Sequence, residues 1–257
     1  MTVTDEQRTR TLARFEDHRR VWDNNPGLRR LYAEWYGRVA AELPAPSLGP
    51  RVELGSGPGF ARQFIPDLEL SDIVRAPWHD REVSADALPF GDASLGAIVL
   101  FDVLHHLPAP RRFFAEANRA LRPGGRVVMC EPYMSPLSYL VYKFLHVEPV
   151  TLRVDPLDPA APAASGATRD PFDSNQAIPS LLFGRGRRAF AEAFPALAIR
   201  SIGYFSGFSY PASGGFSRRA WLPRPIRWAL HAIESRLPKV IFRLMGFRML
   251  VVLEKRT

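Results

Sequence analysis

The sequence predicts an α/β fold with a mostly parallel sheet of seven strands and helices on both faces. Short apolar runs alternate with helical stretches along residues 51–132, and this alternation is typical of parallel sheets with crossover connections. Three glycines follow the first apolar run within five positions, where open α/β sheets turn sharply from a strand into a helix. A chain of 257 residues is long enough for one such domain with added segments.

An N-terminal helical cap is predicted at residues 1–48, ahead of one domain at 49–257. Apolar residues recur at helical spacing over residues 5–43, and "NNPG" divides this stretch as a turn. Two interpretations of the cap remain open. It packs against the edge of the sheet, or it covers a ligand with Arg19, Tyr32 or Tyr36 facing inward.

Each predicted strand is an apolar run bounded by turn residues. A helix is expected at Gly59–Phe64, and another in "PRRFFAEANRALRPGG", which Gly124 and Gly125 would end. The connection from Asp72 to Val83 is too short for a helix, so an irregular crossing is expected. Lid or insert segments are expected at about 133–185 and 206–246, and the last strand is expected at an antiparallel edge. The predicted strands are "RVEL", "LELSDIV", the start of "REVSADALPF", "LGAIVLF", "RVVMCEP", "LAIRSIGYF" and "FRMLVVLEK".

The stretch "VELGSGPGF" has the pattern G-x-G-x-G in Gly55, Gly57 and Gly59. A strand-to-helix turn of this kind exposes backbone N–H groups at the positive end of a helix, and small residues let a ligand approach the main chain. A tight turn with nothing bound is the alternative. Acidic residues follow the neighbouring strands, and the carboxyl ends of parallel strands are where open sheets bind ligands.

The motifs "VELGSGPGF", "ADALPF", "DVLHHL" and "ALRPGGRVVMCEP" occur in order between Arg51 and Pro132. In this they resemble the successive motifs of class I S-adenosylmethionine-dependent methyltransferases, which have a Rossmann-like sheet. The stretches "DPFDSNQAIPSLLF" and "YPASGGF" extend the resemblance to a bacterial methyltransferase type 11-like subgroup whose acceptors are unassigned.

The resemblance implies S-adenosylmethionine as the cofactor and a role for each motif residue. The glycine loop would wrap the methionine part of the cofactor, with Glu53 near its amino group. Asp72 would bind the ribose, and Asp86 and Ala87 would meet the adenine. The stretch "LSDIVRAPW" departs from the usual strand, acid and helix at the ribose position. The implied cofactor-binding residues are Glu53, Gly55, Ser56, Gly57, Gly59, Asp72, Asp86, Ala87, Phe101 and Asp102, of which the last two would line the sulfonium side.

Catalytic groups are harder to predict, because methyl transfer mainly requires alignment, exclusion of water and sometimes removal of a proton. His105 leaves the fourth strand, and an imidazole there could act as a general base or simply form hydrogen bonds. Glu131 and His146 are the other catalytic candidates. Tyr133, Tyr139 and Asn175 are the candidates for substrate binding. No metal site is predicted.

Composition limits the remaining classes. The chain has a single cysteine, Cys130, so it cannot form an internal disulfide. The charged N-terminal stretch has no apolar signal core, and no apolar window is long enough to span a membrane. A cytoplasmic protein is therefore expected. A nicotinamide-dinucleotide oxidoreductase and a non-catalytic, cofactor-binding, membrane-associated protein remain as alternatives to a methyltransferase acting on a small molecule.

The net charge of +8 is concentrated near the C-terminus. Between Arg218 and Arg248 there are eight Lys or Arg residues and one acid, Glu234. A predicted helix in this insertion carries an apolar stripe between the cations. It could lie at the inner face of an anionic membrane, receive an acidic substrate, or pack on the domain with a solvated basic face. Nucleic-acid binding is disfavoured, because the basic residues form one patch without a recognised motif. The oligomeric state and the acceptor atom are not readable from the sequence; oxygen is favoured.

Overall fold

The computed structural model describes residues 3–145, 149–161, 170–216 and 222–256. Strands and helices alternate through the first half of the chain, and helical segments separate the last strands. The strands are β1 (Arg51–Leu54), β2 (Leu68–Asp72), β3 (Arg81–Glu82), β4 (Leu95–Phe101), β5 (Leu121–Pro132), β6 (Leu197–Phe205) and β7 (Arg248–Lys255). The helices are α1 (Asp5–Asn24), α2 (Pro26–Glu42), α3 (Pro110–Ala120), α4 (Pro136–Leu145), α5 (Ile178–Ser180), α6 (Arg187–Ala193), α7 (Ser209–Ser213), α8 (Arg224–Glu234) and α9 (Phe242–Met245).

All seven strands form one sheet in the order β3-β2-β1-β4-β5-β7-β6. The first five strands in this order pair in parallel, whereas β7 is antiparallel to both of its neighbours. The predicted mostly parallel α/β sheet is confirmed. The prediction that the last strand lies at an edge is wrong, because β7 inserts between β5 and β6 and leaves β6 at the edge.

The sheet is covered on both faces, as its residue pattern requires. Along β4, Ile98 and Leu100 face one hydrophobic cluster, whereas Val99 and Phe101 face the other. Alternation of this kind follows from the two-residue period of a strand, and a run apolar at every position marks a strand buried on both faces. Helices α3 and α6 cover the first face, and α1 and α2 cover the second.

The N-terminal helices begin at capping residues. Thr4 and Gln7 form a capping box at the start of α1, and the Asn25 side chain accepts from the N–H of Leu28 at the start of α2. Helix α2 presents an aromatic face to the sheet, in which the Tyr36 ring stacks on Phe101 at 4.3 Å between centroids. The cap therefore packs on a face of the sheet, not on its edge.

Two helix predictions need correction. Residues 59–64 form only a 3₁₀ turn, Phe60–Gln63, because thirteen residues separate β1 from β2 and Pro66 follows closely. Helix α3 ends at Ala120, before the glycine pair, and β5 begins directly at Leu121. Gly124 has a φ of 77° and turns the chain within the first part of that strand. The irregular crossing between Asp72 and Val83 is confirmed, since the described chain has only the two-residue β3 there.

The basic insertion contains α8, a 3₁₀ turn at Lys239–Ile241 and α9. Its acid, Glu234, is buried and anchors α8 to the segment after β6, because its carboxylate accepts from the N–H (2.9 Å) and hydroxyl (2.5 Å) of Ser209. Of the predicted apolar stripe, Ile226 and Ile233 are exposed to solvent. Among the described residues, no helix is long and apolar enough to cross a bilayer.

Candidate cofactor and methyl-transfer site

The loop after β1 needs its glycines for geometry. Gly55, Gly57 and Gly59 have φ values of 67°, 48° and 78°, in the left-handed region that other residues rarely adopt. A Cβ at Gly55 would lie 2.5 Å from a methyl carbon of Val103, and one at Gly59 would lie 2.5 Å from a ring carbon of Trp78. The backbone conformation at all three glycines, and the close neighbours at Gly55 and Gly59, therefore disfavour larger residues at these positions.

Asp72, at the end of β2, holds this loop in place. Its carboxylate accepts from the N–H of Gly57 at 2.9 Å and from the N–H of Val74 at 3.0 Å. Ser56 adds a backbone bond from its N–H to the carbonyl of Ser71 at 2.9 Å. Each carboxylate oxygen can accept more than one hydrogen bond, so the ribose role of Asp72 stays a prediction beside the loop-holding contact.

Glu53, at the end of β1, is a buried carboxylate with one oxygen unsatisfied. Its Oε1 accepts from the Tyr36 hydroxyl at 3.4 Å, whereas Oε2 has no hydrogen-bond partner among the described residues. Burial raises the pKa of the Glu53 carboxyl to about 7, against the hydrogen bonds from Ser56 and Tyr36 that lower it. A buried carboxylate oxygen without a hydrogen-bond partner is stabilised by a cationic donor. The amino group of S-adenosylmethionine is such a donor.

The end of β4 carries the predicted sulfonium-side pair. Phe101 is buried against the aromatic face of α2. Asp102 has a φ of 58°, which is uncommon for a residue with a side chain, and its N–H donates to the Cys130 carbonyl at 3.0 Å. The strained backbone turns the Asp102 carboxylate toward the start of β7, where it meets Arg248.

Arg248 is a residue of the site that the sequence did not predict. It is 1% exposed, and its guanidinium donates to Asp102 Oδ1 at 2.5 Å and lies 4.7 Å from the Trp35 ring centroid. A second donation reaches the Cys130 carbonyl at 3.3 Å. One arginine directly before the apolar run of residues 249–253 is the signal that could have identified it, because arginine is almost never fully buried unless paired.

His105 and Glu131 form a buried hydrogen-bonded pair beside Asp102. Glu131 Oε1 accepts from the N–H groups of Val103 and Leu104 at 2.9 and 2.8 Å, and Oε2 lies 2.7 Å from His105 Nδ1. Burial alone would raise the pKa of the Glu131 carboxyl. The hydrogen bond and charge of His105, with the two backbone donors, outweigh burial and lower that pKa. An ionised carboxylate only accepts, so Nδ1 carries a proton and the basic lone pair of the neutral ring is at Nε2.

Asp102, His105 and Glu131 also offer ligand atoms that all lie within 4.8 Å of one another. Judged by these distances alone, the three side chains could hold a metal ion. The Arg248 guanidinium on Asp102 places a fixed positive charge beside it, and the oxygens of Glu131 already accept three hydrogens. These contacts disfavour a cation at this position.

The adenine-side candidates lie after β3, next to the strand that carries Asp72. Asp86 is half-buried and accepts from the Ser84 hydroxyl, and Ala87 is exposed with its N–H donating to the Ser84 carbonyl at 3.2 Å. Asp86, Asp72, Glu53, Asp102 and Glu131 therefore follow one another along the carboxyl edge of five adjacent strands. Their cofactor and catalytic roles stay predictions.

The acceptor-side candidates are less closely grouped. Asn175 donates its backbone N–H to the His105 carbonyl at 2.8 Å, but its side chain exchanges two 2.9 Å bonds with the backbone of Thr151. The Tyr133 hydroxyl donates to the Arg243 carbonyl at 3.1 Å, and Tyr139 lies half-buried on α4. His146 lies outside the described residues.

Aromatic residues from distant parts of the chain cover the loop. The Trp78 indole N–H donates to the Gly57 carbonyl at 2.8 Å, and the Arg19 guanidinium lies 4.4 Å from the Trp78 ring centroid while donating to the Pro58 carbonyl. The Phe15 ring lies 6.3 Å from the Phe172 ring, centroid to centroid. The cap residues Arg19, Tyr32 and Tyr36 all face inward. Arg19 reaches the Pro58 carbonyl, the Tyr36 hydroxyl donates to Glu53, and Tyr32 stacks on Phe101 at 5.2 Å.

Two solved structures are similar to this chain in fold. One is the solved complex between the Haloferax volcanii Trm112 methyltransferase activator and a methyltransferase. The matched chain of this complex is 17% identical to the present chain over the full length of both, with a TM-score of 0.55. Another is a SAM-dependent methyltransferase from Thermotoga maritima, which is 13% identical over 96% of this chain and 100% of that chain, with a TM-score of 0.56. At these identities the likeness concerns the fold, which is that of class I methyltransferases.

Residues 52–129 match the family model of the methyltransferase domain. This stretch contains the glycine loop and the ends of β1 to β4, so the chain carries a methyltransferase domain over residues 52–129, with S-adenosylmethionine as the cofactor. A shorter match of 51 residues, 45% identical, joins the chain to an uncharacterized 37.1 kDa protein in transposon TN4556 of Streptomyces fradiae. It covers 20% of this chain and 15% of that relative.

The affinity for S-adenosylmethionine is expected to depend on pH through Glu53. A carboxyl with a pKa of about 7 is mostly protonated at pH 6 and mostly ionised at pH 7.5, and an ammonium group binds the ionised form. The dissociation constant measured by calorimetry should therefore fall about eightfold between these pH values. The Glu53→Gln variant should bind S-adenosylmethionine weakly, and its dissociation constant should not change between these pH values. An equal pH dependence in this variant would show that another group is responsible.

Proposed function

We propose that this protein transfers a methyl group from S-adenosylmethionine to a hydroxyl of a small molecule, either a secondary metabolite or a glycolipid or envelope intermediate. The buried His105–Glu131 pair is the observation that carries this proposal. A histidine oriented by an ionised carboxylate is the arrangement that general bases use, and a hydroxyl loses a proton when it is methylated. The His105–Glu131 pair lies at the carboxyl edge of the sheet, next to the predicted sulfonium side of the cofactor.

Each part of the site has a separate task in this mechanism. When bound, S-adenosylmethionine supplies a methyl group on an electrophilic sulfonium. The glycine loop and Glu53 hold the amino-acid part of the cofactor, and Phe101 and the cap exclude water from the reacting atoms. His105 Nε2 takes the proton that the acceptor hydroxyl loses as it is methylated. Glu131 keeps the ring in the required tautomer and stabilises the imidazolium that forms.

The alternatives differ in what the site must contain. A neutral amine can attack the methyl group without a base, whereas a hydroxyl loses its proton, so the buried pair favours oxygen over nitrogen. The family match of residues 52–129 favours S-adenosylmethionine over a nicotinamide dinucleotide. A non-catalytic, cofactor-binding protein would keep the glycine loop and Glu53 but would not need the His105–Glu131 pair.

Calorimetric titration with S-adenosylmethionine, with NAD as the parallel control, tests the cofactor part of the proposal. We expect micromolar binding of S-adenosylmethionine and none of NAD. Gly57→Arg should abolish binding, because position 57 has a φ of 48° and its N–H is bonded to Asp72. Binding of NAD, or wild-type affinity in Gly57→Arg, would contradict the assigned loop.

The partner and location of the protein belong to the same proposal. We place it in the cytoplasm, at times peripheral to the inner membrane face through residues 221–246. The exposed Val240 and Leu244 and the exposed cations Lys239 and Arg243 beside them support this contact. One neighbour in fold is a complex with an activator protein, so a protein partner at another surface is compatible with the fold.

A further inference from the structure

Four large apolar side chains are exposed on two adjacent helical segments. On α4, Leu140 and Phe144 are 51% and 69% exposed, and in the turn and helix over Lys239–Met245, Val240 and Leu244 are 63% and 65% exposed. Each pair is separated by four residues, so its members lie on the same side of their segment. We call these four side chains and their flanking cations the α4–α9 surface.

The two segments are held side by side by Phe247. The Tyr142 ring of α4 packs against Phe247 at 5.8 Å, and its hydroxyl donates to the Phe247 carbonyl at 3.4 Å. Phe247 follows α9 almost directly, and Phe208, itself 43% exposed, also packs against it at 6.4 Å. Single exposed apolar residues are ordinary, but a group on neighbouring segments indicates an interaction surface.

The charge around these apolar residues has one sign. Lys143, Arg236, Lys239 and Arg243 are exposed, and residues 136–145 and 235–245 contain no Asp or Glu. Within the described ranges, no carboxylate forms an ion pair with any of these four cations. Such a surface is unfavourable for a second copy related by two-fold symmetry, because the cations of both copies would meet. The surface is complementary to an anionic bilayer, because the apolar side chains can insert into the lipid interface while the cations contact the anionic headgroups.

The α4–α9 surface lies on the acceptor side of the site. Tyr133 follows Glu131 by two residues, stacks on Tyr204 and donates its hydroxyl to the Arg243 carbonyl at 3.1 Å. Helix α4 begins three residues after Tyr133. A membrane that contacts this surface would therefore lie beside the predicted acceptor entrance.

We propose that the α4–α9 surface docks the protein on an anionic phospholipid bilayer, from which a lipid-linked acceptor reaches the site. The acceptor part rests on the proposed function, whereas the docking part does not. The membrane contact then lies on α9 instead of the stripe on α8, and it includes α4, whose sequence does not indicate a membrane contact.

Co-sedimentation with vesicles of phosphatidylcholine alone and of phosphatidylcholine with phosphatidylglycerol tests the docking. The protein should bind the anionic vesicles, less so at high salt, and not the neutral ones. Lys239→Gln combined with Arg243→Gln should weaken binding roughly thirtyfold, and Phe144→Glu combined with Leu244→Glu should abolish it. Ile226→Glu, an equally exposed apolar position on α8, is the matched control and should bind anionic vesicles like the wild type.

Calorimetry and thermal melting separate docking from cofactor binding and folding. Both double variants should bind S-adenosylmethionine and melt like the wild type, so lost vesicle binding could not be attributed to unfolding. Binding that is equal on neutral vesicles, or lost only in Ile226→Glu, would overturn the proposal. A wild-type dimer in light scattering that Phe144→Glu with Leu244→Glu dissociates, without vesicle binding, would also overturn it and assign the surface to a second copy.

Discussion

Replacing His105 by alanine is expected to slow methyl transfer by about 10²- to 10⁴-fold, the range that general bases contribute. The hydroxyl acceptor would then lose its proton to water, because the side chain that Glu131 orients is gone. S-adenosylmethionine should still bind as to the wild type, since His105 contacts neither the glycine loop nor Glu53 through any described hydrogen bond. Single-turnover rates of S-adenosylhomocysteine formation and calorimetry measure the two effects separately.

Two further variants make this expectation specific. Glu131→Gln removes the charge that stabilises the imidazolium, so the pKa of the His105 ring should fall and the acid limb of the pH–rate profile should move to lower pH. A purely structural role for Glu131 would lower the rate without moving that limb. His106→Ala is the matched control, because its ring lies 4.2 Å from His105 outside the pair. Wild-type turnover in His105→Ala would show that His105 is not the base.

Replacing Arg248 by methionine is expected to lower the free energy of unfolding by about 3 kcal/mol, the lower end of the range for breaking a buried ion pair. The lower end applies because the Asp102 side chain is 29% exposed and water can partly solvate the carboxylate left behind. The loss includes the guanidinium contacts with the Trp35 and Phe101 rings, at 4.7 and 5.5 Å. Urea denaturation followed by fluorescence measures it.

Arg200 provides a matched comparison on the neighbouring strand. It pairs with Glu254 at 3.1 Å, but the side chains are 49% and 31% exposed, so Arg200→Met should cost at most about 1 kcal/mol. Arg248→Lys should lie between wild type and Arg248→Met, since lysine keeps the charge but loses the planar fork. If Arg248→Met costs no more than Arg200→Met, the pair with Asp102 contributes little to the fold.

Most of the cofactor side of the site could be predicted from the sequence. The glycines at 55, 57 and 59 are demanded by the local backbone, and the acids follow strands whose apolar runs show where each strand ends. Such signals are local, so a single sequence contains them. The regular part of the sheet was predictable for the same reason, because alternating strand and helix patterns with right-handed crossovers leave few arrangements.

The acceptor side depends on contacts between distant parts of the chain. Asp102 and Arg248 are 146 residues apart, and they meet only because β7 inserts beside β5 instead of closing the edge of the sheet. Nothing in the local pattern of "FRMLVVLEK" distinguishes an interior strand from an edge strand, since both are apolar runs. The burial of Arg248 against the Trp35 ring likewise depends on where α2 packs.

The sequence by itself determined the class of the fold, the glycine loop and the order of acids along the strand ends, because backbone conformation and strand periodicity are properties of neighbouring residues. Only the tertiary structure decided that Glu131 orients His105, that Arg248 holds Asp102 and that apolar residues of α4 and α9 share one exposed surface. These pairings follow from the arrangement of strands and helices in space, and the energies that select it are summed over the whole core.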